Sequence, residues 1–336
     1  MSPRTSTGRA LVAAWAEAPA KVNLGLAITG RREDGYHRLR SVFLRLALHD
    51  HLEVRTAADS RGQDELVIEG DPGLSVHDNL VLRAAACLRA AQDLRAAEDR
   101  RGSADRPLPA LRFRLDKHIP AAAGLAGGSS DAAAALALAA EAWGLSPDRD
   151  ALLEVAGRLG ADVPFFAAAH GAALVSGVGE VIEPLPQPWP PPGVLLFTAA
   201  ERLSTAAVFA EFDRGAALPR GDAAGSAAMV ERLAVALRGG LDGAALADLA
   251  DDLRDANDLW PAAARLSPGL TPAREALESR LDRAVLLTGS GPTLLAVYPS
   301  LEAATSAASE IERDRPPALR GATILATSGS SRGGSP

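Results

Sequence analysis

The sequence predicts an α+β fold in two domains, and three observations point there. Runs of alternating apolar residues are intermixed with Ala/Leu-rich helical runs. No regular βαβ repeat surrounds them, which favours α+β over a doubly wound parallel sheet. Residues 184–192 carry six prolines in nine positions and mark a domain boundary. At 336 residues the chain has a soft prior of about two domains.

The elements follow in order. Ala10 to Ala16 is a short apolar run behind Arg4 and Arg9. It reads as an ordinary N-terminal extension, residues 1–16, because a strand begins almost at once. In Lys21 to Thr29, Val22, Leu24, Leu26 and Ile28 face one way while Lys21 and Asn23 share the other. The Asp34-Gly35 pair punctuates a turn. Ser41 to Leu48 is expected to return antiparallel, and Glu65 to Glu69 is a third strand. Asn79 to Asp93 reads as a helix. Leu111, Phe113 and Leu115 alternate with Arg112, Arg114 and Asp116, a half-buried strand. Asp131 to Trp143 is rich in Ala and Leu, with high helix propensity. Ser146 is expected to cap the next helix with Pro147 at its first position. Leu152, Val155, Ala156 and Leu159 form its stripe, and Gly160 ends it. Residues 172–176 and 180–184 suit a hairpin.

Beyond the prolines, residues 193–197 read as a strand and 205–212, 226–238 and 243–255 as helices. Residues 284–288 and 293–298 are apolar runs around Gly289-Ser290-Gly291-Pro292. A helix over 301–313 and a strand over 321–326 follow. Residues 328–336, rich in Ser and Gly, are expected to be disordered. The implied domains are 17–185 and 193–327.

A net charge of -7 argues against a general nucleic-acid binder. A single cysteine, Cys87, rules out an internal disulfide framework and suits the cytoplasm. No apolar run reaches transmembrane length, so no membrane partner is expected.

The chemistry centres on Ile119 to Asp131, which holds Pro120, Gly124, Leu125, Ala126, Gly127, Gly128, Ser129 and Ser130. Glycines let a backbone approach an anion closely, and a helix start offers unpaired N–H groups at a positive dipole end. Strand, glycine loop and helix together suit a phosphate cradle; a tight strand-to-helix turn is the plainer alternative. No Gly-Lys-Ser/Thr closes the loop, so it is not a Walker A motif.

Other candidates stand in order along the chain. Lys21 is either a cation aimed at a phosphate or carboxylate, or a solvated strand-end lysine. Asn23 on the same face favours the former. Tyr36 and His37 could hold a planar ring, or merely cap a hairpin. Asp162, just past a helix end, breaks a local electrostatic rule, which is where function is expected; a turn-forming Asp is the alternative. Gly289 to Pro292 is a hairpin turn or a second approach to the phosphates. No cluster has metal-ligand spacing, so no dedicated protein metal site is expected.

In this order these segments resemble the GHMP kinase superfamily. The three motifs are Ala18-Pro19-Ala20-Lys21-Val22-Asn23-Leu24, Pro120 to Ala132, and Leu287-Thr288-Gly289-Ser290-Gly291. The resemblance covers about residues 17 to 325. Asp34-Gly35-Tyr36-His37, Gly160 to Phe165, Leu203 to Ala206 and Asn257-Asp258-Leu259 narrow it to the branch acting on a cytidine-diphosphate-linked methylerythritol in the non-mevalonate isoprenoid pathway. The implied fold has an N-terminal domain like part of ribosomal protein S5 and a ferredoxin-like C-terminal domain.

The implied activity is ATP-dependent phosphorylation of the 2-hydroxyl, with Mg²⁺ bound mainly through the ATP phosphates. Lys21 and Asp162 map onto the catalytic pair, and Gly124 to Ser130 onto the phosphate loop. Tyr36, His37 and Phe209 map onto a cytosine clamp, and Asn23 and Thr205 onto the substrate channel. A monomer or weak homodimer is implied. A mevalonate- or homoserine-type kinase is the rival, but its substrate offers no base for Tyr36. A non-catalytic sensor is a second rival, disfavoured by the retention of Lys21 and Asp162. Ala126 stands where the family usually has glycine, which is tolerable if its φ is negative.

Overall fold

A computed structural model describes residues 13–57, 63–98, 108–215 and 221–330. Residues 1–12 and 331–336 of the expected extension and tail lie outside the described residues. In chain order the elements are β1 (Ala13–Arg31), β2 (His37–Thr56), β3 (Glu65–Glu69), α1 (Leu80–Glu98), β4 (Leu111–Asp116), α2 (Gly127–Trp143), α3 (Arg149–Leu159), α4 (Val163–Ala167), β5 (Ala172–Gly177) and β6 (Val181–Leu185). They continue with β7 (Gly193–Thr198), α5 (Thr205–Gly215), α6 (Gly221–Arg238), α7 (Gly243–Asp251), α8 (Trp260–Leu266), α9 (Leu270–Leu281), β8 (Leu286–Leu287), β9 (Thr293–Tyr298), α10 (Leu301–Arg313) and β10 (Thr323–Ser328). The α+β class is as expected. None of the described helices is long and apolar enough to cross a membrane.

Two compact units divide the chain, each assembled from separated segments. The first comprises the chain up to Ala18, Asp50–His118 and Gly128–Ala167. Within it β4 pairs antiparallel with the end of β2, from His51↔Asp116 to Thr56↔Leu111, and parallel with β3. The alternation in β4 does what the sequence pattern demands. Leu111, Phe113 and Leu115 are buried, while Arg112 and Arg114 pair with Glu65 and Glu69 on the other face. Helix α2 is buried along most of its length because its alanines admit close neighbours. Trp143 at its end donates Nε1–H to Pro109 O at 2.9 Å and lies under the Arg89 guanidinium.

Helix α3 starts later than its sequence suggests. Asp148, not Ser146, is the N-cap, accepting from Ala151 N at 2.7 Å. A carboxylate there also complements the dipole, which a serine hydroxyl cannot.

A buried ionic triad ties this unit together. Lys117 Nζ donates to Asp50 and, at 2.9 Å, to Asp131 in the first turn of α2; Asp50 also accepts from His118 N at 2.6 Å. Burial pushes the Asp131 carboxyl up to about 7, with Lys117 opposing and Asp50 adding. Burial opposes the Lys117 charge as well, but the two carboxylates outweigh it and hold the ammonium above its usual value. Folded Asp131 therefore keeps a proton that the unfolded carboxyl, at 3.8, has released. Its contribution to stability falls as pH rises from about 4 to about 7. Asp131→Asn removes that titration. Relative to wild type, its Tm is expected to improve between about pH 4 and about pH 7. A thermal-shift difference that is flat or falls across that range would contradict the assignment.

The second unit comprises Pro19–His49, Ile119–Gly127 and the chain from Ala168 onward. Its four-stranded sheet runs β10-β7-β9-β8, every pair antiparallel. The start of β2 pairs with β5, and β5 with β6, forming the expected hairpin. Val22 and Leu24 of β1 join Leu44, Val230, Leu233 and Leu246 in one core, while Leu26 and Ile28 join Phe197, Val208 and Leu287 in a second.

Two helices here carry no clear sequence signal, α8 and α9. Pro261 and Pro272 interrupt the pattern but fall in first turns, where a missing N–H costs nothing. Ser328 to Ser330, expected to open a disordered tail, are instead held by backbone hydrogen bonds. Ser328 pairs with Gly193 in the β10–β7 ladder, and Gly329 N and Ser330 N donate to Pro192 O and Arg45 O.

Candidate active site

In the second unit, β1 delivers Lys21 and Asn23 to one spot, as their shared face predicts. Lys21 is 4% exposed, and its ammonium donates to Asn23 Oδ1 at 2.6 Å over the Phe43 ring at 4.2 Å. A buried ammonium needs such acceptors, because desolvating it unpaired is costly. Asn23 is oriented in turn. Its Nδ2 donates to Ser41 Oγ at 2.8 Å, and Ser41 Oγ donates to Gly25 O at 2.6 Å. The Asn23 amide thus orients the Lys21 ammonium through Oδ1, while Ser41 holds its Nδ2.

The glycine-rich loop is tied directly to this strand, since Lys21 N donates to Leu125 O at 3.1 Å. The Gly289 loop closes on both. Thr288 Oγ1 accepts from Asn23 N at 2.9 Å. A Cβ on Gly124, at φ +77°, would lie 2.9 Å from Thr288 O and 3.1 Å from Gly291 O. Gly289 to Pro292 is therefore both a hairpin connection and a wall against the loop. Asn257 fixes that wall, donating to Leu287 O and Gly289 O at 2.9 Å each.

The loop passes into α2 at Gly127, so the amides of Gly127, Gly128, Ser129 and Ser130 form an open first turn. Ser130 Oγ is buried with no hydrogen-bond partner among the described residues. Gly128 is not the tight position: a Cβ there meets only Leu80 Cδ1 at 3.7 Å. Ala126 has φ +56°, not the negative φ that would make its methyl harmless. Left-handed backbone costs an L-residue roughly 1–2 kcal/mol, part of which glycine returns as unfolded-chain entropy. Ala126→Gly is expected to stabilise the protein by about 0.5–1 kcal/mol in urea melts. A loss of stability would show that the methyl makes useful contacts.

His37 and Phe209 come together from β2 and α5, with ring centroids 5.1 Å apart and planes at 27°. Phe212 meets the imidazole edge-on at 5.7 Å. Tyr36 is 66% exposed in the turn closed by Arg32 N→Tyr36 O. Thr205, at the start of α5, shares a hydrogen bond with Ser290 Oγ at 3.0 Å. The sequence gives no reason to single out Asp213, which lies four residues past Phe209 on the same helical face and meets His37 Nε2 at 2.7 Å.

Asp162 belongs to the first unit, half-buried in the turn between α3 and α4. It follows the end of α3, as expected, but it also precedes α4. A carboxylate one residue before a helix start lies at the favourable end of that helix's dipole, which offsets the electrostatic conflict read from the sequence.

The family model described as GHMP kinases N terminal domain matches residues 79–171, and GHMP kinases C terminal matches residues 235–317. The chain is 37% identical to the 4-diphosphocytidyl-2-C-methyl-D-erythritol kinase of Pelotomaculum thermopropionicum, over 88% of this chain and 93% of that one. It is 38% identical to the protein of the same name from Kineococcus radiotolerans, over 90% and 86%. A crystal structure of 4-(cytidine 5'-diphospho)-2C-methyl-D-erythritol kinase superposes with TM-score 0.64 at 31% identity, covering 95% of this chain and all of that one. Methanococcus jannaschii mevalonate kinase shares the fold, with TM-score 0.64 at 12% identity.

Proposed function

Because the chain belongs to the GHMP kinases, among the 4-diphosphocytidyl-2-C-methyl-D-erythritol kinases, we propose that it transfers the γ-phosphoryl group of ATP to the 2-hydroxyl of that cytidyl substrate. The observation that carries this reading is the junction of Lys21 with the phosphate loop. One residue donates its backbone N–H to Leu125 O and presents an ammonium oriented by Asn23. Anionic phosphates held by the loop amides then meet a fixed cation.

In this reading Gly124 to Ser130, with Pro120 at the loop entry, wrap the ATP phosphates. Mg²⁺ would be held mainly through those phosphates and would supply charge neutralisation there. Ser130 Oγ, buried without a partner among the described residues, fits as a donor to a phosphate oxygen. Asp162 accepts the hydroxyl proton, and Lys21 stabilises the charge that builds up as phosphoryl transfer proceeds. Tyr36 and Phe209 flank the cytosine, His37 meets its edge, and Thr205 lies along the substrate path. The same reading divides the chain at the proline-rich stretch, with 17–185 as the ATP-binding domain and 193–327 as the second.

The test is substrate-selective. Tyr36→Ala and Phe209→Ala are each expected to weaken the cytidyl substrate by roughly 1–3 kcal/mol, the range for a base stacked on an aromatic ring. The KM for ATP should stay near its wild-type value. Equal losses for both substrates, or none for the cytidyl substrate, would place the chain in another branch of the superfamily.

A further inference from the structure

His37 is 9% exposed at its side chain and makes its ring contacts with Phe209 and Phe212, so little about its orientation is left to solvent. Its Nε2 lies 2.7 Å from Asp213 Oδ1. The other carboxylate oxygen, Oδ2, faces the Arg31 guanidinium at 3.4 Å. An ionised carboxylate beside an arginine only accepts hydrogen bonds, so the proton in the His37–Asp213 contact sits on Nε2. A neutral imidazole carrying hydrogen on Nε2 has a lone pair on Nδ1. The two ring nitrogens thereby acquire different tasks: Nε2 is committed to the protein and Nδ1 is an acceptor.

We propose that Asp213 is a specificity-determining positioning residue: by fixing the His37 tautomer it makes Nδ1 an acceptor that selects a base bearing an exocyclic amino group. The inference rests on the cytidyl reading above. Cytosine carries an amino donor at its 4-position, where uracil carries a carbonyl acceptor. An acceptor facing the amino group makes a hydrogen bond, whereas an acceptor facing the carbonyl leaves two desolvated lone pairs opposed. Without Asp213 the imidazole is free to place its hydrogen on Nδ1, and the distinction weakens. Asp213 itself touches no base, and its effect passes through His37.

Two measurements on the full chain test this. First, with ¹⁵N-labelled histidine, His37 can be told from the other five histidines by the signal lost in His37→Gln. The Nδ1 resonance is expected in the unprotonated, lone-pair range in wild type and shifted toward the N–H range in Asp213→Ala. A wild-type Nδ1 carrying hydrogen overturns the inference, whatever the enzyme's activity. Second, KM and kcat are compared for the cytidyl substrate and its uridyl counterpart. Wild type is expected to prefer the cytidyl form, and Asp213→Ala to lose about tenfold of that preference, the size of one hydrogen bond. The loss should fall on the KM for the cytidyl substrate and not on the KM for ATP. Undiminished preference in Asp213→Ala overturns the role of Asp213. A wild type that phosphorylates neither substrate refutes the proposed function instead, and the tautomer measurement still decides the His37–Asp213 geometry.

Discussion

Asp162→Asn is expected to lower turnover by about 10²–10⁴-fold, the usual contribution of a positioned general base, while ATP binding persists. The substitution keeps the size and shape of the side chain and removes its basicity. Asp162 lies half-buried in the turn before α4, in a segment fixed by Val163 N→Gly160 O at 3.2 Å. An asparagine oxygen can still accept from nearby N–H groups, so the fold should be retained. The two readouts are kcat in a coupled assay and ATP affinity by calorimetry. Turnover above a tenth of wild type would remove Asp162 from the base role. Loss of ATP affinity together with turnover would point to local disruption.

Gly124→Val is expected to damage both the phosphate loop and the stability of the second unit. A valine there must adopt φ near +77°, which is disfavoured for any L-residue and most for a β-branched one. Its Cβ must also displace backbone, because Thr288 O lies 2.9 Å and Gly291 O 3.1 Å from that position. Strain and overpacking together are expected to cost about 2–4 kcal/mol. ATP affinity should fall at least tenfold, since Leu125 O and the following amides are registered on β1 through this turn. Gly128→Val should be milder, because a Cβ there meets only a leucine methyl. Equal effects at the two positions, or unchanged nucleotide affinity in Gly124→Val, would argue against a loop braced by the Gly289 wall.

Much of this protein is legible one segment at a time. The alternation of Leu111, Phe113 and Leu115 with arginines is a local, period-two property, and β4 buries those three residues while the arginines pair across the sheet. The shared face of Lys21 and Asn23 follows from the same geometry, and the 2.6 Å contact realises it. The glycine loop ahead of an alanine-rich helix is likewise a local signal, and α2 begins inside it at Gly127.

Contacts between distant segments were beyond such reasoning. Nothing near Gly124 in sequence says that Thr288 and Gly291 will crowd it, while a Cβ at Gly128 would meet only Leu80. Nothing near Ala126 fixes its φ at +56°, which the packed loop imposes. The capping of α3 by Asp148 and the place of Asp162 ahead of α4 depend on where chain directions change by one or two residues. Lys117 with Asp50 and Asp131, and His37 with Asp213, unite residues that no sequence period relates.

By itself, the sequence determined most strands, the main helices, the glycine-rich loop ahead of α2 and the family, because periodicity, propensity and motif spacing are properties of adjacent residues. Tertiary structure alone decided which glycine is crowded, which amide holds Lys21, which carboxyl burial pushes up and which partner meets His37. Each of those depends on burial and on the directions of groups brought together across the chain, and neither is specified until the backbone has folded.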